Sequence, residues 1–409
     1  MDDGRLGTAA PTPQARLDHL PRLLYVGDVP VEHSVSGSAL LYRLLEGYPP
    51  QRLVVVQSPH VEKAPDRRLA GVRYEIYRLP LQRLMSTRLA DKASLWRYWT
   101  ARRRWRTIAR AARGFDAQAV LTVAHGWSWI TAAQLARARG LPLHLIVHDS
   151  MPDNMGIARS WYPRVCQTFE AIWRQASSRL CVSPQMAEAY ALPEAPGQVL
   201  YPSRARGAAA FTHPPPPAAP AAPLRFGFAG TINSPGLIQL LLTLAEALEP
   251  MDAKLVLFSG GYVTQALLAR RNVQAREFVA SELLAEELRQ AVDVLFLPMS
   301  FAPRDRTNQT LGFPSKLTEY TAACLPLLVC GPAYCSAARW ARENPGVAEL
   351  VETQDRAALG TALSLLADAD HRARLALRAA EVGSAMFSYE AVHAKFVAAL
   401  SAGVAGAIR

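Results

Sequence analysis

The chain is poor in cysteine: Cys166, Cys181, Cys324, Cys330 and Cys335 are five in 409 residues, an odd number with no CxxC pair. That argues against a zinc ribbon and a disulfide-stapled secreted scaffold, and leads us to expect reduced thiols in a cytosolic protein. No run reaches about 18 consecutive apolar residues, and Asp2, Asp3, Arg5 and Arg16 interrupt the first twenty residues, so neither a membrane span nor a signal peptide is expected. HExxH, clustered His/Cys spacing and a GxSxG elbow are also missing, so we expect no metal site and no hydrolase chemistry. What is present, a 50% hydrophobic and 19% charged composition, describes a globular chain with room for two domains.

The net charge of +11 is concentrated. Between Arg83 and Arg113 stand ten basic residues and one acid, Asp91, which leaves +2 for the rest of the chain. Trp96, Tyr98, Trp99 and Trp105 are interleaved with Arg102, Arg103, Arg104 and Arg106, in a stretch, Ser94–Gly114, of helical length and composition. Such a block attracts anions. It reads as a solvated helix capping the first domain, as a surface lying on an anionic membrane, or as a nucleic-acid contact, the last disfavoured because no nucleic-acid-binding motif accompanies it.

Proline is concentrated too, in Phe211-Thr-His-Pro-Pro-Pro-Pro-Ala-Ala-Pro-Ala-Ala-Pro223. A run without backbone donors cannot sit inside a helix or sheet, so we place a linker at 206–223, after a flexible segment 1–20 and a domain 21–205. A second domain follows over 224–385 and a terminal helical segment over 386–409. On both sides of the linker short apolar runs alternate with helix-like stretches. The expected strands are Leu23–Gly27, Leu53–Gln57, Ala119–Val123, Leu143–His148, Leu180–Val182, Leu224–Ala229, Lys254–Phe258, Val292–Leu297 and Leu327–Val329, with helices between them such as Ser281–Ala291. This alternation predicts an α/β fold of two Rossmann-like, doubly wound parallel sheets with a ligand between the domains.

The order Phe226-Gly-Phe-Ala-Gly-Thr231, Leu255-Val-Leu-Phe-Ser-Gly-Gly261, Ala291-Val-Asp-Val-Leu-Phe-Leu-Pro298 and Phe313-Pro-Ser-Lys-Leu-Thr-Glu-Tyr320 resembles the nucleotide-sugar-binding half of GT-B glycosyltransferases, in particular the large family 4. The resemblance covers most of 224–385 and implies a GT-B fold, a metal-independent hexosyltransferase acting with retention, a nucleotide-diphosphate sugar as donor substrate, and no other cofactor. The final segment resembles the helix that returns to the first domain in such proteins.

The resemblance assigns Glu319 to the ribose hydroxyls. Chemically it is equally an acid placed near a helix N-terminus. Lys316 with the amides of Ser315 to Leu317 forms a candidate phosphate site, and Gly230 and Thr231 at a strand end allow close backbone approach. The family's first acid of an acidic pair is Leu311 here, and its diphosphate-neutralising Arg and Lys are Thr231 and Pro235. Arg304 and Arg306 are therefore offered as substitutes beside Lys316. In the first half, His148 with Asp149 ends a strand, and the resemblance puts a histidine here beside the donor sugar. His125 is offered as facing the acceptor and Gly37 as approaching the diphosphate. Trp96, Trp99, Arg102, Arg103, Arg104 and Trp105 are the candidate membrane or acceptor surface.

The reading is thus a sugar transfer to a glycan or lipid-linked acceptor, in cell-surface polysaccharide synthesis, by a cytoplasmic protein peripheral to the inner face of the membrane. Two alternatives stay open. One is a GT-B-fold nucleotide- or glycan-binding protein without turnover, made tenable by Leu311, Thr231 and Pro235. The other is a basic protein associated with nucleic acid.

Overall fold

The computed structural model describes residues 20–33, 36–58, 65–216, 222–260 and 263–407; most of the expected segment 1–20, and 217–221 of the proline-rich run, lie outside these residues. The chain forms two compact units, 1–180 with 395–409, and 181–394. The division falls upstream of the proline-rich run. In the second unit the Phe211 N–H donates to the Ala322 carbonyl at 2.8 Å, and the Arg289 guanidinium lies 4.1 Å over the Phe211 ring.

The first unit runs β1 (Leu23–Gly27), α1 (Ser36–Leu45), β2 (Leu53–Gln57), β3 (Arg73–Ile76), α2 (Ala90–Ala101), a 3-10 turn Arg102–Arg104, and α3 (Trp105–Ala111). It continues with β4 (Ala119–Val123), α4 (Ser128–Arg139), β5 (Leu143–Val147), α5 (Tyr162–Gln175) and β6 (Ser178–Cys181). Past the division come α6 (Pro184–Ala189) and the short β7 (Gln198–Val199), which completes a sheet of order β3-β2-β1-β4-β5-β6-β7. Strands β1, β2, β4 and β5 are buried along their whole length, as their unbroken apolar runs require when helices cover both faces.

The second unit continues with β8 (Arg225–Ala229), α7 (Pro235–Leu248), β9 (Lys254–Phe258), α8 (Gln265–Leu268), β10 (Val273–Arg276), α9 (Ser281–Ala291) and β11 (Val294–Pro298). Then follow α10 (Arg306–Leu311), α11 (Lys316–Ala322), β12 (Leu327–Cys330), α12 (Ser336–Glu343), β13 (Ala348–Val351), α13 (Arg356–Ala367), α14 (Ala369–Phe387) and α15 (Tyr389–Ala407). The sheet order is β10-β9-β8-β11-β12-β13. Alternate residues of β11 serve opposite faces: Leu295 and Leu297 pack with Tyr320, Trp340 and Phe387, while Val294 and Phe296 pack with Leu240, Leu244 and Leu248 of α7.

In both sheets the strand order reverses beside the first strand, with β1 parallel to both β2 and β4, and β8 parallel to both β9 and β11. Helices leave to opposite sides at such a point, so a crevice opens at the carboxyl ends of those strands. The fold therefore directs attention to Gly27–Asp28 and Ala124–Gly126 in the first unit, and to Gly230 and Met299–Ser300 in the second.

Candidate functional site

In the second unit β8 runs out at Gly230, whose φ of +132° is a conformation that side-chain-bearing residues rarely adopt. The space a Cβ would take is filled by Lys316: an ideal Cβ on Gly230 would lie 2.6 Å from its Cε and 3.1 Å from its Nζ. Two contacts fix α11, which carries this lysine, to the strand end. The Ala229 N–H donates to the Tyr320 phenol oxygen at 2.8 Å, and the Leu317 side chain is fully buried in the core. The Lys316 ammonium lies 5.2 Å over the Phe228 ring, and burial pushes its pKa down against the opposing pull of Glu319. One turn further on, Glu319 takes a hydrogen bond from the Thr318 hydroxyl. The Ser259 hydroxyl donates to the Gly230 carbonyl at 2.7 Å, and the start of α7 presses against the end of β11, where a Cβ on Gly236 would stand 2.1 Å from the Ser300 Oγ.

The structure thus brings together Gly230, Lys316 and Glu319, with Ser315 opening the same helix. Leu317 departs from expectation. Its N–H donates to the Pro314 carbonyl at 3.1 Å and its side chain is core, so it does not offer a free amide. Thr231 is exposed. The contacts of the two loop arginines are with other partners: Arg304 sits 3.8 Å from Asp305, and the Arg306 guanidinium lies 4.7 Å over the Tyr334 ring.

One residue here was not anticipated. Phe278, after β10, is 48% exposed, and its ring would lie 2.9 Å from a Cβ on Gly260, which has φ +52° at the end of β9. The aromatic ring is a flat apolar surface at the carboxyl edge of the sheet. Nothing in the run Glu277-Phe278-Val279 distinguishes it from a core phenylalanine.

In the first unit the unanticipated residue is Asp28, directly after β1. Its carboxylate accepts from the N–H groups of Trp127 and Ser128 at 2.7 and 2.9 Å and from the Ser128 hydroxyl at 2.6 Å, so it caps α4 from a distant part of the chain. Gly126 (φ +57°) passes over that carboxylate so closely that a Cβ would stand 2.2 Å from Oδ2. This holds the loop carrying His125. The His125 Nδ1 is 3.5 Å from Asp149 Oδ2, and hydrogen bonding to Asp149, with further charge from Asp28, raises the His125 pKa above its ordinary value. His148, partly exposed yet closely surrounded, is pushed down to about 4 by desolvation and stays neutral. A Cβ on Gly37, in the first turn of α1, would lie 3.7 Å from the His148 Nδ1, which places this glycine beside the histidine.

The basic block divides. Trp96, Trp99, Arg102 and Arg103 are exposed and Trp105 is half-buried. Arg104, expected on the surface, turns inward instead: its Nη2 donates to the Arg97 carbonyl at 3.2 Å, and burial lowers its pKa against the charges of Tyr77 and Asp28. The reason is helical phase, because Arg104 continues the inward row of Arg97 and Ala101.

No family model and no curated protein matches this chain. Among solved structures, the Anabaena protein Alr3699/HepE, in complex with UDP and glucose, is similar at a TM-score of 0.64 and 15% identity, over 93% of this chain and 99% of that chain. A glycosyltransferase from Rickettsia africae is similar at a TM-score of 0.63 and 11% identity, over 92% of this chain and 97% of that chain. The calicheamicin glycosyltransferase CalG4 is similar at a TM-score of 0.52 and 14% identity, over 93% and 98%. With two parallel, doubly wound sheets, one of seven strands and one of six, whose strand order reverses beside the first strand of each, the chain has the fold of the GT-B glycosyltransferases.

Proposed function

We propose that the protein is a glycosyltransferase that uses a nucleotide-diphosphate sugar. The observation that carries this reading is the seating of the Lys316 ammonium against the side-chain-free Gly230, with Glu319 one turn along the same helix. Transfer of a sugar releases a nucleoside diphosphate, and a cation at that position lowers the barrier by neutralising the charge that develops on the leaving oxygen. A partly desolvated ammonium interacts more strongly with that charge than an exposed one does. Glu319, an acceptor only, suits the paired hydroxyls of a ribose, and Phe278 offers the base a stacking surface.

The first unit, taken by itself, carries hydrogen-bonding groups after β4 and β5 of the kind that hold sugar hydroxyls. Neutral His148 can donate from one ring nitrogen and accept at the other. The His125–Asp149 pair can take up and return a proton, the carboxylate favouring the protonated imidazole. A uracil base is supported by UDP in the complexes of the Anabaena protein. A retaining course and hexosyl transfer rest on the family 4 resemblance, and a glycan or lipid-linked acceptor in cell-surface polysaccharide synthesis rests on the basic aromatic block alone.

The test is thermal unfolding of the wild type and of Glu319→Ala with UDP, GDP, dTDP and CMP and their sugars. One nucleotide raises the midpoint, by an amount equivalent to about 2.7 kcal/mol at 100-fold excess over its dissociation constant. That rise is lost in the variant. Stabilisation by none of the four nucleotides would count against the assignment.

A further inference from the structure

Along α2, the 3-10 turn and α3, the exposed residues include Lys92, Trp96, Trp99, Arg103, Arg106 and Arg110. Their spacing of four, three, four, three and four residues puts them on one helical face, opposite the inward Ala93, Arg97, Ala101 and Ile108. Trp96 and Trp99 keep 56% and 53% of their surface in water, an unusual outlay for the two largest side chains on a face otherwise cationic. The start of α5 adds to it. The Trp99 and Trp161 rings meet edge to face at 5.8 Å, and the Arg164 guanidinium lies 5.5 and 5.6 Å over the two rings. Between these helices opens a pocket of about 330 Å³ with Ile130 at its apolar side, lined also by Tyr98, Trp99, Arg102, Arg164, Gln167 and Thr168.

Two guanidiniums and an amide at a shallow opening suit a phosphate diester, the Thr168 hydroxyl being engaged with the Arg164 carbonyl and the Tyr98 phenol, and the exposed indoles beside it suit the depth of lipid headgroups. The acid nearest in sequence on α5, Glu170, is held by Arg174 at 2.6 Å. Stacking of nucleic-acid bases is poorly served, because Arg164 lies over a face of both Trp99 and Trp161. Among the described residues no helix is long and apolar enough to cross a membrane, so any attachment through this face is to a membrane surface.

We propose that this face of the first unit docks on a bilayer containing anionic phospholipid, with the pocket between Trp99, Arg102 and Arg164 receiving a headgroup phosphate and Trp96 entering the interface. The face reaches the loop that carries His125. The Trp127 Nε1 donates to the Ser94 hydroxyl at 3.0 Å, and the Tyr98 and Trp127 rings lie 5.2 Å apart.

The experiment is co-sedimentation of the full chain with phosphatidylcholine vesicles with and without phosphatidylglycerol, at low and high salt. Binding requires phosphatidylglycerol and weakens with salt. The pair Arg102→Gln with Arg164→Gln lowers the partition coefficient roughly 25-fold, about fivefold for each charge removed. The pair Arg103→Gln with Arg106→Gln, clear of the pocket, does the same through charge alone, and guards against a local folding defect at Arg164. Brominated lipid quenches tryptophan fluorescence in the wild type, and less in the pair Trp96→Phe with Trp99→Phe. Equal binding to neutral vesicles, unchanged binding by both arginine pairs, or displacement of the chain from vesicles by duplex DNA with no quenching would overturn the proposal.

Discussion

Lys316→Met removes the ammonium at Gly230 and keeps most of the apolar stem, so it separates the two things this side chain does. For binding, a hydrogen bond to a charged group contributes about 1.5–3 kcal/mol, so the dissociation constant of the nucleoside diphosphate rises roughly 10- to 150-fold. For folding the sign is opposite. The ammonium is desolvated against Phe228, with its pKa lowered by burial, and replacing it with an apolar side chain of similar length relieves that cost. The variant is therefore expected to melt no lower than the wild type while binding nucleotide far more weakly. Gly230→Ala reaches the same binding defect by another route. A Cβ there meets Lys316 Cε at 2.6 Å and must adopt φ +132°, so it displaces the ammonium and also costs about 1–3 kcal/mol of stability. Isothermal titration with UDP, together with thermal melts of both variants, reads all four quantities. A dissociation constant for Lys316→Met within twofold of wild type, in a protein that binds UDP, would show that the diphosphate does not lie against Gly230.

Two further outcomes follow from histidines of the first unit. His144 is fully buried, its Nδ1 2.8 Å from the Ser178 hydroxyl, and burial depresses its pKa to about 4. The unfolded chain takes up a proton near pH 6.5 that the native state refuses until about 4, so stability is unaffected above 6.5 and falls by up to about 3 kcal/mol as the pH drops through that window. Seven of the eight tryptophans lie in the first unit, so urea unfolding followed by their fluorescence reports it, and His144→Asn should flatten the loss between pH 7 and 4.5; an equally steep loss would exclude His144 as its source. At the surface, Asp149→Asn removes the main cause of the raised His125 pKa. The stabilisation of the pair is present below pH 6.5 and fades as the pH rises through the raised value, and in the variant the His125 resonance should titrate at lower pH by NMR, taking the acidic limb of the rate profile with it. A titration that does not move would mean that the 3.5 Å contact carries no charge coupling.

The central strands were legible because burial on both faces leaves an unbroken apolar run: Leu23–Gly27, Leu53–Gln57, Ala119–Val123 and Lys254–Phe258 begin and end where the sequence places them. The edge strands β3, β10 and β13 were not, since Arg73-Tyr-Glu-Ile, Val273-Gln-Ala-Arg and Ala348-Glu-Leu-Val are short and half in water, and carry no such signal. The site divides in the same way. Gly230, Lys316 and Glu319 stand out because a strand end and a helix start are local features. Asp28 escapes notice because its partners, Trp127 and Ser128, lie 99 and 100 residues away, and only the pairing of β1 with β4 brings them together.

Arg102-Arg103-Arg104 shows why the rest was not legible, three identical residues given different surroundings by about 120° of rotation each in their 3-10 turn. Arg102 faces the pocket, Arg103 faces water, and Arg104 points towards Tyr77 and Asp28, where its Nε and Nη1 are buried without a hydrogen-bond partner. Composition registers all three as one positive patch, and the phase of the helix assigns them separate work. The third is the one whose loss should be felt inside the unit. Asp28 holds the start of α4, and an inward guanidinium places a counter-charge near that half-buried carboxylate. Charge on this stretch therefore serves two ends, a surface for anions outside and a counter-charge beneath the His125 loop within, and only the outer one can be neutralised without disturbing the fold.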